Sequence, residues 1–174
     1  MGLHNIYKNP QPVANAKGEL LEHLKKTKKF SCIKYWTLTN EPNLWYLQNG
    51  YSFDEYVALH LLVKQEIEKR GLDIQIVGSD DTNGGTNWFR RCVNNNDYFR
   101  VSDIFASHRY FSLTERDLST LFFTERMEIL STRQPTKSFV VAEFGFQDHR
   151  STSVLNPLMR NYPYAVWSTA FAIQ

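Results

Sequence analysis

The sequence predicts an α/β fold in which parallel strands alternate with helices, and three observations carry that prediction. Four short apolar runs, at 33–39, 72–77, 102–107 and 138–143, have the β-branched and aromatic composition of buried strands. Between them, and on either side, apolar residues recur at helical spacing. The 174 residues suffice for a real core and match the size of one domain, 1–174. Strands separated by helices imply β/α units with right-handed crossovers. Strands without strict polar alternation fit a sheet covered on both faces, or the wall of a barrel.

Each element has its own warrant. Ala14 to Lys29 reads as a helix, with Leu20, Leu21 and Leu24 on one face and lysines at its end. Ile33 to Thr39 is the first strand, and it runs into Asn40-Glu41-Pro42-Asn43. Pro42 cannot donate to a strand ladder and pushes Glu41 toward an extended conformation, so this strand should end at about Glu41. Asn43 to Tyr51 reads as an aromatic loop. Ser52 with Glu55 makes a capping box, and Tyr56, Leu59, Leu62, Val63 and Ile67 continue a helix that Gly71 stops. Leu72 to Val77 is the second strand, followed by a loop from Gly78 to Asn87 and a short helix from Asn87 to Asn94. The asparagines 94–96 break that helix. Ser102 to Ser107 is the third strand, and Ser112 with Glu115 opens a helix to about Ser131. Ser138 to Glu143 is the fourth strand, and Tyr164 to Gln174 reads as a last helix.

Composition excludes several function classes. An apolar fraction of 42% and a charged fraction of 22% are ordinary, whereas 14% aromatic is high. A net charge of +2 makes no electrostatic case for nucleic acid or an anionic membrane, and no basic patch carries interleaved aromatics. The lysines of 25–29 read as a solvated helix end. Cys32 and Cys92 have no metal spacing and read as two buried free thiols. No apolar run is long enough to span a membrane, and residues 1–20 lack a signal-peptide core. No cofactor and no metal are expected; localisation and oligomeric state stay open.

In parallel α/β sheets the working residues stand beyond the carboxyl ends of the strands. The four tips carry Asn40 and Glu41; Ser79, Asp80 and Asp81; His108, Arg109 and Tyr110; and Glu143. Glu41 and Glu143 therefore share a rim. Two facing carboxylates are what glycoside hydrolysis needs, one to protonate the leaving group and one to attack the anomeric carbon or activate water. Tyr110 is placed to donate a hydrogen bond to the attacking carboxylate, and Asn40 to hold a sugar hydroxyl. His108 reads equally as a satisfied rim histidine or a substrate binder. Asp80 and Asp81 read as loop formers, because aspartate suits turns. Trp45 and Trp88 are either sugar-stacking platforms or packing residues.

These residues resemble the retaining glycoside hydrolases of clan A, the (β/α)8-barrel superfamily that includes cellulases, mannanases and β-xylosidases. The resemblance rests on Asn40-Glu41-Pro42, on His108-Arg109-Tyr110, and on Val141-Ala142-Glu143-Phe144-Gly145, in that order and each at a strand end. It implies that Glu41 is the acid/base and Glu143 the nucleophile. Asn40 would bind the sugar 2-hydroxyl, Tyr110 would orient Glu143, and His108 and Trp45 would help to bind the substrate, a carbohydrate. It also implies a partial barrel. A complete one takes about 250 residues. Residues 1–39 leave room for one helix and one strand, so the chain would cover strands four to seven. The family's early-strand arginine and its eighth-strand tryptophan would be absent, and Trp167 lies in a helix instead. Both outer strands should then have open edges, and isolated activity should be weak. Two other classes compete. One is a catalytically inactive carbohydrate-binding relative. The other is a nucleotide-binding doubly wound fold, which would need a Gly-rich turn where this chain has Asn-Glu-Pro-Asn.

Overall fold

In the computed structural model, which describes residues 9–45, 50–82, 85–111 and 116–146, four parallel strands form one sheet. The strands are β1 (Tyr35–Thr37), β2 (Gln75–Asp81), β3 (Ile104–Phe111) and β4 (Ser138–Phe146), lying side by side in chain order. The helices are α1 (Pro10–Glu22), α2 (Pro42–Trp45), α3 (Phe53–Lys69), α4 (Asn87–Asn94), α5 (Asn96–Val101) and α6 (Arg116–Ser131). The sheet curls as half of a (β/α)8 barrel. The nucleotide-binding alternative, with its doubly wound open sheet, does not match this architecture.

Local chemistry explains most boundaries. Both halves of the Ser52–Glu55 capping box form at the start of α3. Its far end turns at Gly71, whose φ of 60° suits a residue without a Cβ. The first helix begins earlier than its leucines suggest, with Pro10 at its start, where a missing N–H costs nothing. Its end widens into a π segment, His23–Thr27. The lysines there are not merely solvated: Lys25 donates to the Ile33 carbonyl and Lys26 to that of Arg70. Asn95 does not only end α4; its side chain accepts the Tyr98 N–H at 2.8 Å and caps a further helix, α5.

The core lies between the helices and the outer face of the sheet and is largely aromatic. Tyr56 and Tyr98 stack at 5.2 Å, and Trp88 meets Tyr56 and Phe53 edge-on at 5.0 and 5.4 Å. Trp88 is thus a packing residue, with 5% exposure, and not a sugar platform. Phe89 and Phe105 continue the cluster under β3. Gly78 is set by this packing. A Cβ there would stand 2.1 Å from Ser102 Oγ and 2.6 Å from Tyr98 Oη, so only glycine lets α5 cross β2. Cys92 is buried, as expected, but Cys32 is exposed; both thiols are free.

Two strands run further than their apolar runs indicate. β2 continues to Asp81, so Asp80 and Asp81 belong to a strand and not to the loop expected from Gly78 onward. β3 continues through His108 and Tyr110. Hydrogen bonding to parallel neighbours on the sheet, which turn propensity ignores, carries the polar residues along. β1 pairs only with β2 and β4 only with β3 among the described residues, and Tyr35, Val140, Val141 and Phe144 are exposed. The expected helix at 164–174, with Trp167, lies outside the described residues. No helix among the described residues is long and apolar enough to cross a membrane.

Candidate active site

The C-terminal tips of the strands open into a cleft of about 440 Å³ lined by Thr37, Leu38, Thr39, Asn40, Asp80, His108, Ala142 and Glu143. Glu41 stands at its edge and is not extended: its φ is 46°, in the left-handed region. The expectation from Pro42 fails here because local bonds outweigh it. The Glu41 N–H donates to the Asp80 carbonyl at 3.1 Å, and the Glu41 carbonyl accepts from the Leu44 N–H as α2 begins. The Asn43 side chain then bridges to Thr82, donating to its carbonyl at 2.7 Å and accepting its N–H at 2.9 Å. The Asn-Glu-Pro-Asn turn is thereby stapled to the tip of β2. The expected aromatic loop after Asn43 is in part this short helix. Residues 46–49 and the side chain of Trp45 lie outside what is described.

The tip of β2 is strained in turn. Ser79 and Asp80 have φ of 61° and 47°, at a bulge that shifts the register against β3. Non-glycine residues there cost of order 1–3 kcal/mol each and persist only where surroundings over-determine them. Ser79 is held by its Oγ on the Ala106 carbonyl, at 2.6 Å, and by its N–H on Tyr98 Oη, at 2.7 Å. Asp81 is fully buried against Arg126 of α6, which is also fully buried, with Nη2 2.6 Å from the carboxylate. Ser107 Oγ donates to the same carboxylate at 2.6 Å. The Arg126 guanidinium lies 3.3 Å from the Phe122 ring centroid. Burial pulls that guanidinium below its ordinary pKa, while Asp81 opposes the change. The bulge leaves Asp80 to face the cleft and Asp81 to anchor α6.

At the centre sits His108, whose side chain is only 2% exposed. Its Nε2 lies 2.8 Å from Asp80 Oδ1, and its Nδ1 lies 3.2 Å from Glu41 Oε1 and 3.5 Å from Glu143 Oε2. Burial alone would lower its pKa. The bond to Asp80, helped by Glu41 and the charge of Glu143, outweighs burial and lifts the pKa to about 9. Burial raises the Asp80 pKa above its ordinary value, with His108 opposing. Neither rim histidine nor substrate binder describes His108 fully: it is the hub that ties three strand tips together.

Tyr110 stands two residues on, on the same face of β3, and its hydroxyl donates to Glu143 Oε2 at 2.8 Å. That bond, with burial and the nearby charges of Glu143 and Glu41, pushes the phenol up to about 12. The β3–β4 register pairs His108 with Glu143 and brings all these groups to one level. Glu41, His108 and Glu143 each offer one ligand atom, and the three atoms lie within 4.8 Å of one another. Of the residues expected from sequence, Glu41, Glu143, His108, Tyr110 and Asn40 meet at this cleft. Asp80 was the omission. Its position at a strand tip pointed to it, but its residue type argued for a turn.

No family model and no curated protein sequence matches the chain. Solved structures do. A GH39 β-xylosidase from Caulobacter crescentus superposes with a TM-score of 0.70 at 14% identity, over 94% of this chain and 35% of that one. A monomeric β-xylosidase from Caulobacter crescentus CB15 also gives 0.70, at 13% identity, over 91% and 35%. The shared feature is the fold, part of an α/β barrel. A bacterial orthologue of human α-L-iduronidase gives 0.65 at 10% identity, over 82% of this chain and 27% of its own. The chain thus spans about a third of the length of these proteins. The partial barrel implied by the motifs agrees with that coverage.

Proposed function

We propose that residues 1–174 carry the catalytic centre of a retaining glycoside hydrolase acting on O-glycosidic bonds of a glycoside, oligosaccharide or polysaccharide. Glu41 is the acid/base and Glu143 the nucleophile. The observation that carries this reading is their approach, with one oxygen of each within 4.8 Å at the carboxyl rim of a parallel sheet. Retention uses carboxyl groups about 5–5.5 Å apart, whereas inversion needs about 6.5–9.5 Å to admit a water. The short spacing favours direct attack by Glu143 on the anomeric carbon and leaves Glu41 to protonate the departing oxygen. In the second half-reaction Glu41 takes a proton from water as that water releases the sugar from Glu143.

The surrounding groups have supporting roles. Tyr110 aims one oxygen of Glu143 by donating to the other. His108 brings Glu41 and Glu143 to 3.2 and 3.5 Å from one imidazole nitrogen. Asn40 lines the cleft beside Glu41, and on this reading it binds the sugar 2-hydroxyl. Trp45 is the candidate stacking ring.

Turnover of aryl β-xylosides and aryl β-glucosides by the purified chain tests the reading, beside Glu143→Ala and Glu41→Ala. Turnover lost in Glu143→Ala, and restored in Glu41→Ala by azide as a glycosyl azide, supports it. Equal turnover in Glu143→Ala refutes it. A second reading follows from the four strands that surround the cleft among the described residues: a carbohydrate-binding relative without turnover. Saturable oligosaccharide binding with no hydrolysis would select it.

A further inference from the structure

The three groups at the centre of the cleft also have the geometry of a transition-metal site. In a tetrahedral zinc site with bonds of about 2.0–2.1 Å, neighbouring ligand atoms stand about 3.3–3.4 Å apart. His108 Nδ1 lies 3.2 Å from Glu41 Oε1 and 3.5 Å from Glu143 Oε2, so two of the three ligand edges bracket that length. The third edge, between the glutamates, is bounded at 4.8 Å. Glu143 is 43% exposed, so a rotation of its carboxylate can close that edge.

The second observation concerns the other nitrogen of the ring. Histidines that bind metals commonly donate their remaining N–H to a carboxylate, which fixes the tautomer and the ring plane. Here Nε2 is 2.8 Å from Asp80 Oδ1, both side chains are at least 96% buried, and Nδ1 is left facing the cleft. An imidazole in the set favours zinc, copper or nickel over calcium or magnesium.

We propose that Glu41, His108 and Glu143 form a three-ligand site for a divalent transition cation, zinc foremost, with His108 bound through Nδ1 and oriented by Asp80. Binding releases any Nδ1 proton to solvent and leaves Nε2–H on Asp80. The cation neutralises both glutamates and fills the space between them. On the glycosidase reading it competes with the sugar, and that consequence alone depends on the reading.

Cobalt(II) titration of the purified chain reads the site without any sugar, through the visible absorption of four-coordinate cobalt, and zinc should displace the cobalt at one equivalent. His108→Ala and Glu143→Gln should each weaken binding at least tenfold. His23→Ala, which alters an exposed histidine on α1's π extension, should leave it unchanged. Because His108→Ala removes a buried residue, the half-exposed Glu143→Gln variant decides the matter if the first fails to fold. A shift of the His108 ring signals on adding zinc, seen by NMR, should accompany binding. No binding at 1 mM cation, or equal affinity in Glu143→Gln, overturns the proposal. Zinc binding by a chain that hydrolyses no glycoside even when assayed with a chelator and free of metal would sink the glycosidase reading and leave this one standing.

Discussion

Arg126→Met should cost about 3–5 kcal/mol of folding stability, the penalty for leaving a buried carboxylate without its cation. The structure sets that scale. Arg126 and Asp81 are both fully buried, and the guanidinium reaches Asp81 Oδ2 through Nη2 at 2.6 Å and Nε at 3.1 Å. Nε is also 3.1 Å from Ser107 Oγ, and Nη1 donates to the Phe122 carbonyl at 3.2 Å. Methionine fills much of the arginine stem's volume, so the loss measured is chiefly electrostatic and not a cavity. Against the about 5–15 kcal/mol that holds a typical domain, such a loss is most of the margin. Urea denaturation of the wild type, Arg126→Met, Asp81→Ala and the double variant closes a thermodynamic cycle. The double variant should be less damaged than the sum of the singles, because with both gone no charge is stranded. A cost below about 1 kcal/mol for Arg126→Met, or simple additivity, would refute the argument that this pair anchors α6 to the β2 tip.

Other outcomes are equally open to measurement. His60 is buried between Tyr56 and Tyr98, and burial lowers its pKa to about 4 although Nδ1 lies 2.8 Å from the Tyr56 carbonyl. Its folded pKa is below the unfolded value, so stability is lost as pH falls from about 6.5 to 4, by at most about 3 kcal/mol. His60→Leu should flatten that part of the pH–stability curve. His108 has the opposite sign: its contribution is complete below pH 6.5 and is lost as pH rises through about 9. In Asp80→Asn the His108 titration followed by NMR should move down from about 9 toward the ordinary histidine range, and no movement would remove Asp80 from the site. Gly78→Ala should destabilise by about 1–3 kcal/mol, as overpacking does, because its Cβ would meet Ser102 Oγ at 2.1 Å. Thermal unfolding of that variant checks the estimate.

Much of this architecture was legible residue by residue. Ser52 and Glu55 located the start of α3 because a capping box is made within four residues. Val-Val-Ala-Glu and Tyr-Trp-Thr announced strands because β-branched and aromatic side chains suit an extended backbone, although Tyr35, Val140 and Val141 are exposed. Where long-range bonds decide, the sequence misleads. Asp80 and Asp81 have the composition of a turn, yet they end a strand because Arg126, Ser107 and His108 satisfy them from other elements. Glu41 precedes a proline and should be extended, but the Asp80 carbonyl holds its N–H in a left-handed turn.

The same division runs through the site. The order of the three motifs, their residue types and their places at strand ends are written along the chain, since each depends on neighbours a few positions away. From these the candidate pair, Glu41 and Glu143, and the orienting Tyr110 could be named. The distances between them could not. Whether His108 touches sugar or joins carboxylates depends on the bulge at Ser79 and on the β3–β4 register. Those are set by hydrogen bonds between residues far apart in sequence, and only the folded sheet brings such residues within reach.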